Sequence, residues 1–308
     1  MKGTSKKASP VIALALGSGS SRGWSHIGII RGLAEMGITP DIVCGTSIGA
    51  LVGASYVSNN LDSLENWVCS LNRLETARFF EINSSLSGFV NTHRFHQFLN
   101  QNVASDDVTI ERLEKRFASV ATDLKSGREV WMSNGSLLEA VWASISLPGL
   151  FPAIRHKQTW LVDGGLVNPV PVSVCRALGA DIVIAVNLNG DIVGKHFQKA
   201  NKNKTEIRNS MTEKITDLVK EYTSVLFPTD GDTETAPNVF DAIAGSFNIT
   251  QDRITRSRLA GDPPDLLLTP RLSHIGLLEF YRASEAIEEG RRIVKAMRSE
   301  IELATDNE

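Results

Sequence analysis

Short unbroken apolar runs alternate along this chain with segments whose apolar residues recur every three or four positions. Residues 11–16 (VIALAL) form such a run, closed by a cluster of glycine and serine. A strand buried on both faces of a parallel sheet reads this way. Residues 24–36 place Ile27, Ile30 and Leu33 at helical spacing and end near Gly37, which predicts a helix. A second short strand follows at 41–44 (DIVC), then a helix rich in small residues at 48–57. This βαβα beginning points to an α/β fold on a parallel sheet.

Further along, residues 62–100 read as helical and carry several aromatics, Phe79 and Phe80 among them as ordinary core. A strand pair is expected at 116–122 and 129–132, a helix at 136–144, and strands at 159–162 and 180–186. Residues 191–214 and 228–237 are polar with little apolar period, as solvated loops are. Helical spacing resumes at 238–259 and 278–303, separated by a strand-like 265–268. The expected organisation is a flexible tail (1–10), a catalytic domain (11–190) and a C-terminal extension (191–308) packed on that domain.

Composition narrows the classes. With 308 residues, 42% of them hydrophobic, the chain can bury a core without metals or disulfides. A net charge of -3 provides no basic field, so nucleic acid is not an expected partner. Three cysteines, Cys44, Cys69 and Cys175, show no CxxC spacing and read as buried free thiols. The apolar run at 11–16 is too short for a signal-peptide core, and no stretch reaches the length of a membrane span. A cytoplasmic protein is expected, with any membrane contact peripheral to the inner face.

Three loops carry candidate chemistry. Gly45-Thr46-Ser47-Ile48-Gly49 is a G-x-S-x-G pentapeptide between a strand and a helix, where a serine hydroxyl projects above the sheet. Its plain alternative is an N-cap serine. The loop from Gly17 to Gly23 (GSGSSRG) follows the first strand. It could turn around a dinucleotide, with Asp41 as ribose ligand, or offer backbone N–H groups to an oxyanion. Asp41 opens its strand instead of ending it, which puts its carboxylate at the wrong sheet edge for a nucleotide. Asp163-Gly164-Gly165 ends an apolar strand and reads either as a turn or as part of a site with the other two loops. Of the histidines, His26 lies within the first helix, His93 and His96 share a helical segment, and His156 sits at a hairpin tip. His196 falls in a polar stretch and His274 near a loop end. None follows a late strand, so a Ser-His-Asp triad is disfavoured.

Together with Ala143-Ser144-x-Ser146-x-Pro148-Gly149-x-Phe151-Pro152, these loops resemble the patatin-like phospholipases. The likeness is nearest the bacterial RssA-like subgroup and extends to neuropathy target esterase catalytic domains. The resemblance implies a three-layer α/β/α fold with a mainly parallel sheet, a Ser47–Asp163 dyad and an acyl-enzyme. It implies an oxyanion hole at Ser18, Gly19 and Ser20, with Arg22 and Gly23 closing the loop. It implies no cofactor and no metal. Ser18 and Ser20 replace glycines common in the family, which bears on the geometry of that loop. Arg22 is expected to hold the loop or to attract a phosphate headgroup. The substrate implied is a phospholipid, lysophospholipid or other acyl ester, its chain lying along residues 147–152. The remaining readings are a nucleotide-dependent oxidoreductase and a catalytically quiet scaffold with the same fold.

Overall fold

The computed structural model describes residues 9–79, 92–191 and 239–305. The polar segments 191–214 and 228–237 and His196 therefore fall outside the described residues, apart from Asp191 itself; so do Phe80 and the side chain of Phe79. Among the described residues eight strands form one sheet: β1 (Ile12–Leu16), β2 (Ile42–Thr46), β3 (Arg116–Asp123), β4 (Glu129–Met132), β5 (Ile154–His156), β6 (Thr159–Asp163), β7 (Ile182–Val186) and β8 (Leu266–Leu268). Strands β3, β2, β1, β7 and β8 run parallel in that order, whereas β4 and β6 pair antiparallel with β3, and β5 pairs antiparallel with β6.

The alternation within the central strands divides the core. Leu14, Leu16, Val43, Ile184 and Val186 point to one face, where the bulkier cluster lies. Ala13, Ala15, Cys44, Val183 and Ala185 point to the other. On the first face pack α1 (Ser25–Glu35), α2 (Ile48–Val57), α3 (Leu61–Ser70), α5 (Thr92–Asn102), α6 (Leu137–Ile145) and α9 (Ala283–Ala296). The smaller second face takes α7 (Val172–Ala177) and Leu259 of α8 (Val239–Gly261). The sheet is thus mainly parallel with helices on both faces, a three-layer α/β/α arrangement. Two further helices are α4 (Arg73–Phe79) and α10 (Arg298–Thr305).

Several local signals explain the boundaries. Ser136 caps α6 by accepting a hydrogen bond from the Glu139 amide at 3.2 Å. The β5–β6 hairpin turns at Lys157, which holds a φ of 54°. The C-terminal segment is built into the sheet, because β8 pairs with β7 and α9 packs along α1. That crossing is tight: a β-carbon on Gly28 would meet the Ile287 carbonyl oxygen at 1.9 Å, and one on Gly290 the Ser25 carbonyl oxygen at 2.1 Å. Glycine is required at both positions.

The structure departs from expectation at one C-terminal helix and one cysteine. The periodic stretch 278–303 is two helices with a break at Met297, a residue with φ of -105°. Cys69 is exposed, while Cys44 and Cys175 are buried free thiols. No helix among the described residues is long and apolar enough to cross a membrane.

Candidate active site

The register of β3 explains how two loops far apart in sequence meet. Ser119 and Val120 pair with Gly45 and Thr46 of β2 on one edge and with β4 on the other. The next residues, Ala121 and Thr122, still pair with β4 but now also with Asp163 and Val162 of β6. A strand has only two edges, so β6 takes over the edge that β2 leaves. The two strands approach head-on, one ending at Thr46 and the other at Asp163. Ser47 Oγ donates a hydrogen bond to Asp163 Oδ2 at 2.5 Å. Asp163 thus reaches the carboxyl edge from outside on an antiparallel strand, and not as the end of a parallel one.

Ser47 carries a φ of 56° and ψ of -125°, a backbone state that side chains disfavour by about 1–3 kcal/mol. Its neighbours enforce the turn. Gly45 and Gly49 flank it because a β-carbon there would strike the Ala50 nitrogen at 2.4 Å or the Leu16 carbonyl oxygen at 2.2 Å. Ser144 Oγ accepts from the Ser47 amide at 2.9 Å and donates to the Val120 carbonyl at 2.6 Å. Two residues on, the Ser146 carbonyl accepts from the Asp163 amide at 3.0 Å. The Ala-Ser-x-Ser segment therefore anchors the backbone of both residues.

Asp163 is 1% exposed, and burial pushes its pKa up to about 7, against the lowering pull of the hydrogen bonds from Ser47 and from the Gly165 amide (2.7 Å). Its backbone carbonyl accepts from Thr122 Oγ1 at 2.8 Å. Gly164 lies against the Val120 carbonyl, so that no side chain fits there, and Gly165 against Gln251. His26 is fully buried beneath the glycine loop with Nε2 2.8 Å from the Gly17 carbonyl oxygen, and burial lowers its pKa to about 4. It packs under the loop. His96 pairs with Asp106 and His274 with Glu285, each on the surface.

The glycine loop continues into a 3-10 turn, Ser20–Trp24. The amide of Ser18 donates to the Pro169 carbonyl at 2.8 Å, so the expectation that it serves an oxyanion hole is corrected: the N–H is committed to the scaffold. Ser18 lines the cleft, and its hydroxyl is buried and without a hydrogen-bond partner among the described residues. The Ser21 and Arg22 amides are also engaged, with Leu277 and Gly19 carbonyls. No described carbonyl takes the Gly19 or Ser20 amide, and both residues line the cleft with Ser47. Ser20 holds a φ of 52°, a state glycine would adopt without strain, and its Oγ donates to the Leu277 carbonyl at 2.6 Å. Arg22 is 1% exposed, its Nε donating to the Gly19 carbonyl at 3.1 Å and its Nη2 to Asn248 Oδ1 at 3.1 Å. Burial lowers its pKa to about 9. Arg22 holds the loop and offers no exposed charge to a headgroup. Gly23 lies on Ile48, where a β-carbon would come within 2.2 Å of that side chain.

The glycine loop and the Ser47 turn line a cleft whose walls are largely apolar, among them Trp24, Trp67, Phe95, Phe98, Leu147 and Phe151. Asp41, the candidate nucleotide ligand, accepts from the Ile12 amide at 2.9 Å at the opposite end of the sheet. No group of three or more potential metal ligands occurs among the described residues. Sequence reasoning missed Gln251, Asn189 and the Ser20 and Ser21 hydroxyl contacts, for which no motif exists.

An α/β fold that sets a strained serine against a buried carboxylate at the mouth of an apolar cleft places the molecule among the carboxylic-ester hydrolases. Residues 14–176 match the family described as patatin-like phospholipase. An uncharacterized NTE family protein of Mycobacterium tuberculosis is 30% identical over 97% of this chain and 94% of its own. Human patatin-like phospholipase domain-containing protein 6 is 32% identical over 58% of this chain and 13% of its own length. The Yarrowia lipolytica protein named Lysophospholipase NTE1 is 34% identical over 58% and 12%. The chain belongs to the patatin-like phospholipase family.

Proposed function

We propose that this protein hydrolyses an acyl ester of a phospholipid or lysophospholipid through a Ser47–Asp163 dyad and a covalent acyl-enzyme. The observation that carries this reading is the 2.5 Å hydrogen bond from Ser47 Oγ to Asp163 Oδ2. Asp163 accepts the hydroxyl proton as Oγ bonds to the ester carbonyl carbon, a task suited to a base whose pKa of about 7 lies near neutral pH. The amides of Gly19 and Ser20, assisted by the Ser18 hydroxyl, receive the charge developing on the carbonyl oxygen. Asp163 then gives its proton to the alcohol oxygen, the C–O bond breaks and Ser47 retains the acyl group. Water, losing a proton to Asp163, attacks the acyl carbon; Asp163 then returns that proton to Ser47 Oγ as the acyl–Oγ bond breaks, which releases the fatty acid and free Ser47.

The cleft favours a long hydrocarbon chain, since each methylene moved from water into apolar surroundings contributes about 0.8 kcal/mol. The lysophospholipase name carried by the Yarrowia relative is in keeping with such a substrate. The C-terminal extension packs on the same domain, and contact with a lipid surface is peripheral. Release of fatty acid from lysophosphatidylcholine, followed by mass spectrometry, tests the proposal. Wild type should release it and Ser47→Ala should not; equal release by both proteins would reject the dyad.

A further inference from the structure

The strands that meet at the dyad do not stop at its level. β3 runs on past Ala121, the partner of Asp163, through Thr122 and Asp123, and the Leu124 amide then donates to the Trp160 carbonyl at 2.9 Å. Trp160 in turn pairs with Arg155 of β5. Arg155, Trp160 and Leu124 therefore form one row across three strands. The row lies three residues beyond the catalytic carboxylate, or about 10 Å at the rise of a strand. Past it the two hairpins turn, at residues 125–128 and 157–158.

Leu124 is 57% exposed and Trp160 53%. A single apolar residue on a surface needs no explanation, but these two stand side by side in the outermost row. Around them are Lys125, Arg128, Arg155 and Lys157, all exposed and none in a salt bridge among the described residues. Set against them are Asp123, which accepts from the Lys125 and Ser126 amides and from Ser126 Oγ, and Glu139, which bonds His156. The two turns thus keep a positive surplus on a chain whose net charge is -3. Exposed indole beside unpaired cations suits a membrane interface, where the ring sits at headgroup level and each cation is drawn to anionic lipid. The cleft is tied to the same place, because Leu150 and Phe151 line it and the chain enters β5 three residues later.

We propose that these two turns dock the protein on an anionic bilayer, with Leu124 and Trp160 entering the headgroup region and Lys125, Arg128, Arg155 and Lys157 meeting lipid phosphates. Docking there deepens the lipid-ester reading and rests on it, because a bilayer lipid must reach Ser47, and the dyad then lies about 10 Å from the row that the membrane meets. Trp131 supplies an internal comparison. It is also exposed and shares the sheet face, but it pairs with Val120, four residues below Leu124, and its Nε1 donates to Glu129. At about 13 Å below the outermost row it stays out of the headgroups.

Full-length protein carrying Ser47→Ala, which spares the lipid, is sedimented with vesicles of phosphatidylglycerol and phosphatidylcholine in equal parts. It should bind these and not vesicles of phosphatidylcholine alone, and should let go as salt rises toward about 1 M. Trp160→Ala with Leu124→Ala should lower the partition about tenfold. Lys125→Gln with Lys157→Gln should lower it about 25-fold, and Trp131→Ala should leave it unchanged. With Ser47 restored, hydrolysis of p-nitrophenyl butyrate in free solution should be unchanged in all three variants, while release of fatty acid from vesicle lipid falls with binding in the two double variants. Unchanged binding in both double variants would overturn the proposal, as would an equal loss in Trp131→Ala or a loss of soluble-ester hydrolysis in step with binding. So would double variants that change the oligomeric state and leave vesicle binding intact, the mark of a contact between copies of the chain. Vesicle binding by a wild type that hydrolyses no ester would remove the dyad reading and leave the docking surface standing. Ester hydrolysis by a wild type indifferent to anionic vesicles would do the reverse.

Discussion

Two of the walls around the catalytic residues are built on different principles. One consists of residues 17–23, 45–49 and 163–165, fixed through backbone: strand register, the Ser144 and Ser146 anchors, and glycines with no room for a side chain. The other comes from the C-terminal segment and is fixed through side chains. Ser20 and Ser21 hydroxyls donate to the Leu277 and Gly276 carbonyls at 2.6 Å each, and Trp24 Nε1 to the Phe280 carbonyl at 3.2 Å. Asn248 and Gln251 meet Arg22 and Asn189. A backbone-built wall tolerates almost no substitution and leaves a motif. A side-chain-built wall can change by single residues, and so can set what the same chemistry acts upon.

The comparison breaks first at the dyad. Asp163→Asn should lower ester hydrolysis by about 10^4-fold or more, as loss of one member of a catalytic unit does. It should also stabilise the fold in a pH-dependent way. The folded pKa of about 7 lies above the unfolded value of about 3.9, so the native state binds the extra proton between them. Wild type therefore loses stability as pH rises through that window, by up to about 4 kcal/mol, and the asparagine variant does not. Thermal melts should show the variant ahead at pH 8, with the gap closing toward pH 4.

A smaller but still severe effect is expected at Gly49. Gly49→Ala forces a methyl against the Leu16 carbonyl and should destabilise the fold by about 1–3 kcal/mol, read from urea midpoints. On the side-chain wall the change should be milder. Removing the Ser20 and Ser21 hydroxyls together deletes two hydrogen bonds, each worth about 1 kcal/mol, and should lower kcat/KM roughly tenfold while the melting temperature moves by only a few degrees. A double variant as damaged as Gly49→Ala would erase the distinction between the walls.

The same distinction decides what the sequence discloses. Strands β1, β2 and β7 are legible because burial on both faces leaves an unbroken apolar run between turn residues. The Ser47 and Asp163 loops are legible because backbone constraint demands glycines at set spacing. The direction of β6 is not legible: a five-residue apolar strand reads the same either way, and only pairing with β3 reveals that it runs antiparallel. Helix α7 and strand β5 are too short to show a period. The commitment of the Ser18 amide to Pro169 is a tertiary contact that no local pattern records. Asn248, Gln251, Asp252 and Thr255 of α8 resemble the solvated side of an amphipathic helix, and their burial appears only when the cleft is assembled.

The central claim is that a buried carboxylate alone activates Ser47, and the rate of fluorophosphonate labelling against pH tests it most directly. No histidine among the described residues bonds Ser47 or Asp163 and His26 is neutral above about 4, so labelling should rise through a single midpoint near 7 and vanish in Asp163→Asn. Labelling that persists in Asp163→Asn, or a midpoint left near that of an ordinary exposed carboxylate, would contradict the account.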